Sequence, residues 1–516
     1  MEVKPPPARA LCAGPPSPSK GEGEAYDCGV GVAVSPLESA LAVFHARHPT
    51  YKDTRALDEL RRTDYARLDR EGHVYLDYTG GGLFAESQVR QHMDLLLGNV
   101  FGNPHSTSPT SGPITEIIEK TRARVLAFFN ASPDEYTVAF TSNATGALKL
   151  VGESYPFGPG GHFLLTFDNH NSVNGIREYA RAAGAETTYV TVRESDLRVD
   201  RKTLEGYLSR LVTGEAAHAG GCLFAYPAQS NFSGVQHPLE LIEAAHEKGW
   251  DVLLDAAAFV PTNRLDLGRH HPDFVAISFY KMFGYPTGIG CLIARKEALI
   301  KLKRPWFAGG TIVAVSVRGD WHMMSRDESG LEDGTPNYLD IPAVSNGLDH
   351  LSGIGVDMIH QRVMNLTDWL LQTLSALRHS NGKAIVRIYG PTATVSRGAN
   401  IALNFLQPDG QTVDERLVDQ LAANEHISIR TGCFCNPGAG EVALHIVNDE
   451  MPPEVDGRQM TMGEYLEFLG LPTAGAVRVS MGVATNFDDV WKFAQFAQTF
   501  TDKTFDRTGL PARLKC

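Results

Sequence analysis

A chain of 516 residues is longer than one hydrophobic core usually holds, so two or more packed lobes are expected. Hydrophobic residues make up 43% and charged residues 21%, which sets aside fibrous and wholly disordered classes. With 47 Lys+Arg against 60 Asp+Glu the net charge is −13, which disfavours nucleic acid and anionic membrane and points to small molecules or proteins as partners. Seven cysteines, odd in number and without a regular framework, suggest reduced thiols in the cytosol rather than a disulfide scaffold. Apolar runs such as "VLLDAAAFV" fall far short of the roughly 20 residues of a membrane span, and no signal-peptide pattern opens the chain. A soluble, cytoplasmic, enzyme-sized protein is expected.

Residues 1–36 are crowded with Pro, Gly and Ser and are expected to form a mobile tail. A large domain is expected over 37–340. There the helix-period segment "SGPITEIIEKTRARVLAFFNAS" is followed by the strand "YTVAFTS", and further buried strands follow in "GHFLLTFDN", "GCLFAYPA", "DVLLDAAA" and "DFVAISFY". This alternation predicts an α/β fold with a mainly parallel sheet, whose site lies at the carboxyl ends of the strands. From about Asp340 a long amphipathic segment and then shorter elements predict a helical connector and a smaller α+β domain over 341–516.

Chemistry-bearing residues sit at those strand ends. Lys281, in "ISFYKMFGYPTGIGCL", lies among apolar and aromatic neighbours; it is either snorkelling from a strand end or a desolvated amine suited to a Schiff base with a carbonyl cofactor such as pyridoxal phosphate. Asp255 ends "DVLLD" and either caps the next helix or pairs with a pyridinium nitrogen. In "FTSNATGALKL" the backbone of Asn143, Ala144 and Thr145, the Thr145 hydroxyl and a helix N-terminus could cradle a phosphate, or form an ordinary capped helix. His170 in "TFDNHNSV" could stack on a ring or move protons. The C-x-C pair Cys433 and Cys435 in "RTGCFCNPG" offers a nucleophilic thiol near Arg430; as a metal site it lacks a second pair and would need His426 or His445, so no metal is assigned.

Taken in order along the chain, "NPHS", "DNHNSVNGIR", "FAYPAQSNFSG", "LLDAAAFV", "SFYKMFGYPTGIG", "LEDGTPNYLDI" and "RTGCFCNPGAG" resemble the class V aminotransferase group of fold-type I pyridoxal phosphate enzymes, and within it the cysteine desulfurase domain of molybdenum cofactor sulfurases. The resemblance implies that Lys281 carries the cofactor and shuttles the substrate Cα proton. It also implies that Asp255 pairs with the ring nitrogen and His170 stacks over the ring. Ala144, Thr145, Ser278 and Tyr280 would hold the phosphate, and Asn231 would approach the phenolic oxygen. Arg478 would grip the substrate carboxylate, and Cys435 would take sulfur from L-cysteine as a persulfide for an acceptor protein or molybdenum cofactor. The alternative within the same group is a lyase or aminotransferase acting on another amino acid. A homodimer is implied, with Gly309 to Thr311 reaching the partner's phosphate. Several positions depart from the family pattern: Tyr78 and Thr79 near the substrate, Ala258 where bacterial desulfurases carry Gln, and Gly440 in place of a third cysteine. The separate C-terminal cofactor-binding domain of the full-length sulfurases is not expected in this chain.

Overall fold

The structure, a computed structural model of the chain, describes residues 35–104, 106–211, 220–446, 460–468 and 475–506, with single residues at 458, 470, 473 and 510. The expected tail therefore falls almost wholly outside the described residues, and the chain is first seen where Ser35 caps the helix Pro36–Arg47.

A seven-stranded sheet forms the centre. Its strands are β1 (Tyr136–Thr141), β2 (His162–Thr166), β3 (Glu186–Val190), β4 (Cys222–Pro227), β5 (Asp251–Asp255), β6 (Phe274–Ser278) and β7 (Gly290–Arg295). They lie side by side in the order β1-β7-β6-β5-β4-β2-β3. β2, β4 and β6 are buried along their whole length and β5 everywhere but at Asp251, so these strands read as continuous apolar runs rather than alternating ones. Parallel pairing holds from β3 across to β6. β7 runs antiparallel to both β6 and β1, a reversal that its apolar sequence does not announce.

β7 begins at Gly290, which pairs with Ser278 on one side and Thr141 on the other. A Cβ there would lie 2.4 Å from the Ile277 carbonyl and 2.6 Å from Asn143 Cα. Only glycine lets the turn after β1 come this close to the end of β6, and that approach brings the helix Ala144–Ser154 against Ser278.

The helix Gly112–Phe128 buries Ile114, Ile118, Val125 and Leu126 as its periodicity predicts. The long amphipathic segment divides at Gly355 into helices Ile341–Ile354 and Val356–Ala376. Beyond it a second, antiparallel sheet runs β8 (Val386–Tyr389), β9 (Asn400–Phe405), β11 (Ala476–Ser480) and β10 (Arg430–Gly432) in that spatial order. Residues near the start of the described chain complete this region. Val74–Tyr75 pairs with Ile427–Ser428, and Asp77 bridges to Ser480.

Buried arginines fasten the same early segment. Arg61 makes a two-point ion pair with Asp489, at 2.5 and 3.1 Å, with both side chains almost wholly buried. Arg362 binds Asp58 and the Thr54 carbonyl. Removing Asp489 leaves the buried Arg61 with the more exposed Asp69 and the Ala484 carbonyl as its partners, so Asp489→Ala is expected to destabilise the protein by roughly 3 kcal/mol, the low end for a broken buried pair. Urea denaturation should show this as a lower midpoint for Asp489→Ala than for the wild type.

Candidate active site

The carboxyl ends of β1, β2, β4, β5 and β6 open onto a cavity of about 110 Å³, where an open α/β sheet places its ligand. Its wall includes Ala144, Thr145, His170, Asn231, Asp255, Ser278, Tyr280 and Lys281, so the eight residues expected at a cofactor share one pocket. A larger cavity of about 420 Å³ lies along Gly146, Lys149, Leu150 and Glu153 of the helix Ala144–Ser154; neither Lys281 nor Asp255 borders it.

Lys281 sits in the short helix Phe279–Phe283 that follows β6. It is half-buried, and desolvation pulls its pKa below the ordinary lysine value, with the Asp255 carboxylate opposing this and Arg478 reinforcing it. The local environment therefore makes the free amine more accessible than in an ordinary lysine. Asp255 is buried, and one carboxylate oxygen accepts from the Ala257 amide at 3.0 Å. The sequence left a local cap and a cofactor partner as alternatives for this residue, and the structure combines a local turn bond with a place in the cavity wall.

Asn143 caps the helix Ala144–Ser154 by accepting from the Gly146 amide at 3.0 Å. The Ala144 amide donates to Ser278 Oγ at 2.9 Å, leaving that hydroxyl hydrogen available to a ligand. Thr145 is exposed, and its hydroxyl lies 2.8 Å from that of Ser172. Hydroxyls gathered at a helix N-terminus make a suitable phosphate cradle. Ser172 had not been singled out in the sequence, although it stands two residues after His170 in the same run.

His170 accepts the Ser172 amide hydrogen at Nδ1, at 3.1 Å. Burial holds its pKa below the usual histidine value, against the pull of Asp255. A neutral ring that accepts at Nδ1 carries its proton on Nε2.

The expected cysteine pair separates into two roles. Cys435 is exposed with a free thiol. Cys433 is disulfide-bonded, which corrects the expectation of wholly reduced cysteines at this position. Phe434 and Cys435 have φ of 55° and 53°, a left-handed conformation uncommon for residues with side chains. Four hydrogen bonds to three residues hold this loop in place. The Asn171 amide donates to the Cys435 carbonyl at 2.7 Å, and Asn231 Nδ2 donates to the Phe434 carbonyl at 2.7 Å. Asn436 Nδ2 donates to the Asp168 carbonyl and to Asn231 Oδ1, at 2.7 and 2.9 Å. Asn436 also caps the helix Pro437–Leu444; Asn followed by Pro at a helix start is a signal the sequence offered.

Arg478, on β11, lies beyond the cavity wall and is joined to it through Asn231, whose carbonyl accepts from Nη1 at 2.9 Å. Its guanidinium carbon stands 4.7 Å from the centre of the Phe434 ring, which links it to the cysteine loop. Gly309–Thr311 forms a short 3-10 turn. Among the described residues no cluster of three or more His, Cys, Asp or Glu side chains is placed to hold a metal ion.

Residues 74–493 match the family described as aminotransferase class V. The chain belongs to that family. Among curated relatives it is 38% identical over 472 residues to the molybdenum cofactor sulfurase of Arabidopsis thaliana, covering 85% of this chain and 57% of that protein. To the human molybdenum cofactor sulfurase it is 36% identical over 466 residues, covering 86% of this chain and 51% of the relative. The chain thus spans between half and three-fifths of the length of these relatives. Among solved structures it resembles the cysteine desulfurase of Thermococcus onnurineus NA1, with a TM-score of 0.69 at 23% identity, covering 86% of this chain and 98% of the other. It also resembles the cysteine desulfurase CsdA of Escherichia coli, with a TM-score of 0.64 at 21% identity, covering 89% and 98%. The fold-type I expectation is borne out.

The exposure of the three free thiols among the described residues gives a direct test. Cys291 is buried and desolvation pushes its pKa up; the same holds for Cys222. Iodoacetamide on the native protein should therefore label Cys435 well before Cys222 or Cys291, as read by peptide mass spectrometry over a time course.

Proposed function

We propose that this protein is a pyridoxal phosphate dependent cysteine desulfurase of the molybdenum cofactor sulfurase type. The observation that carries this reading is a single pocket holding a desolvated lysine, a buried carboxylate and a hydroxyl-lined helix N-terminus, with an exposed thiol on a loop bonded to the pocket wall. The donor set fits the cofactor: hydroxyls and helix amides suit its phosphate, Asp255 suits a ring N–H, and Lys281 offers an amine to its aldehyde. When bound, pyridoxal phosphate supplies an electron sink that weakens bonds at the substrate's Cα and Cβ.

The remaining chemistry falls to the chain's own side chains. Lys281, as the free amine, takes and returns the proton at the substrate's Cα. His170 keeps its Nε2 proton and remains neutral. The Arg478 guanidinium offers its unpaired Nε–H to the substrate carboxylate. The Cys435 Sγ attacks the substrate sulfur as the Cβ–S bond breaks, so L-cysteine and the thiol become L-alanine and a persulfide on Cys435. In that product the substrate's sulfur has been inserted between Cys435 and its hydrogen. The exposed position of Cys435 suits onward transfer to an acceptor, either a protein or molybdenum cofactor. No helix among the described residues is long and apolar enough to cross a membrane. By analogy with its family we place the protein in the cytosol as a homodimer.

The test is turnover of L-cysteine by the loaded protein. Wild type should form alanine, Lys281→Ala should lose this activity by several orders of magnitude, and Cys435→Ser should lose persulfide while retaining the cofactor's absorbance. Alanine formation at the wild-type rate in Cys435→Ser would contradict the desulfurase reading.

The pH dependence follows from the Lys281 environment. The amine reacts when unprotonated, so capture of pyridoxal phosphate by the cofactor-free protein should speed up as pH rises through a midpoint below the ordinary lysine value. Asp255 opposes the downward shift, so Asp255→Asn should move that midpoint lower still. Borohydride trapping across pH reads both midpoints.

A further inference from the structure

Arg478 is buried, yet one of its donors, Nε, has no hydrogen-bond partner. An unpaired buried N–H is costly, and here it marks the place where an acceptor belongs. The rest of the guanidinium is held firmly. Nη1 donates to the Asn231 carbonyl, and Nη2 donates to Asp77 Oδ1 at 3.1 Å. The second oxygen of the same carboxylate accepts from Arg430 Nε and Nη2, at 2.9 and 2.5 Å. Asp77, itself buried, therefore bridges two arginines.

The backbone keeps that carboxylate from moving away. Asp77 bridges to Ser480, the Ser480 amide donates to the Leu76 carbonyl at 2.7 Å, and the Thr79 amide donates to Ser480 Oγ at 2.9 Å. Residues 76–79 are thus fixed alongside β11, which carries Arg478. The chain then turns tightly, with the amides of Gly80 and Gly81 donating to the Asp77 carbonyl. A Cβ at Gly80 would lie 2.5 and 2.6 Å from the two Asp77 carboxylate oxygens and 2.8 Å from Arg430 Nη2. Glycine at position 80 leaves room for the bridge.

We propose that Asp77 is a positioning residue that locks Arg478 in one orientation, with Nε–H free for the substrate's α-carboxylate and the guanidinium seated on the Phe434 ring beside Cys435. This rests on the reading of Arg478 as the carboxylate receptor. Asp77 stays in place when substrate binds, because its other oxygen is held by Arg430 and its backbone by β11. Arg430 opens β10, the strand that leads into the loop of Cys435, so the bridge ties carboxylate recognition to the position of the thiol.

The test uses the cofactor-loaded protein and two small amines, L-alanine and ethylamine, which differ by the α-carboxylate. Each is titrated against the cofactor's absorbance in wild type, Asp77→Asn, Gly80→Ala and Arg478→Ala. Asp77→Asn is expected to weaken L-alanine about tenfold while leaving ethylamine as in the wild type. Gly80→Ala, which keeps every charge and displaces the carboxylate, should do the same. A general loosening of the site would weaken both amines together and would overturn the proposal. So would wild-type affinity for L-alanine in Gly80→Ala and Asp77→Asn when Arg478→Ala has lost it. Wild-type affinity in Arg478→Ala as well would instead remove the carboxylate reading on which the proposal stands.

Discussion

The site depends on holding two basic side chains close together in desolvated surroundings, Lys281 in the cavity wall and Arg478 just behind it. Burial disfavours the charged form of both, and each answers in its own way. The lysine can give up its proton, and its environment eases that loss. An arginine cannot, so Arg478 needs fixed acceptors, which Asp77 and the Asn231 carbonyl provide. The long-range architecture follows from that need. Asp77 lies 401 residues before Arg478, and the segment that carries it must fold back onto the C-terminal sheet. The buried pair of Arg61 with Asp489, and the buried Arg362 bound to the half-exposed Asp58, hold that return in place.

Asn231 stands where these demands meet. Its carbonyl holds Arg478, and its side chain binds the Phe434 carbonyl and Asn436. It also lines the cavity. The expectation from resemblance set it against the cofactor's phenolic oxygen. One of its Nδ2 hydrogens is spent on the cysteine loop, and the other remains for a ligand. The left-handed pair Phe434 and Cys435 is uncommon backbone for such residues, and it persists because the Asn231 side chain holds the Phe434 carbonyl and the Asn171 amide holds that of Cys435. The thiol is thereby exposed while its peptide stays bonded to the pocket.

Much of this was legible in the sequence because buried parallel strands announce themselves as unbroken apolar runs, and the residues that end those runs form the site. Asp255, Ser278, Lys281 and the "SNAT" turn are all of this kind, and they share one cavity. The parts that escaped have no local signature. β7 is as apolar as its neighbours, so its direction could not be read from composition. Asp77 meets Arg430 and Arg478 across 353 and 401 residues, a spacing that no motif spans. Asn436 has a local signature only as a helix cap, Asn before Pro; its bonds to Asp168 and Asn231 span 268 and 205 residues.

The central claim is that the chain moves sulfur from L-cysteine to Cys435 within one turnover. A single turnover of the loaded protein with radiosulfur-labelled L-cysteine, quenched without reductant and mapped by peptide, tests it most directly. The account predicts label on the Cys435 peptide in an amount matching the alanine formed, all of it released by reductant. Alanine formed while the label leaves as free sulfide or settles on another peptide would contradict it.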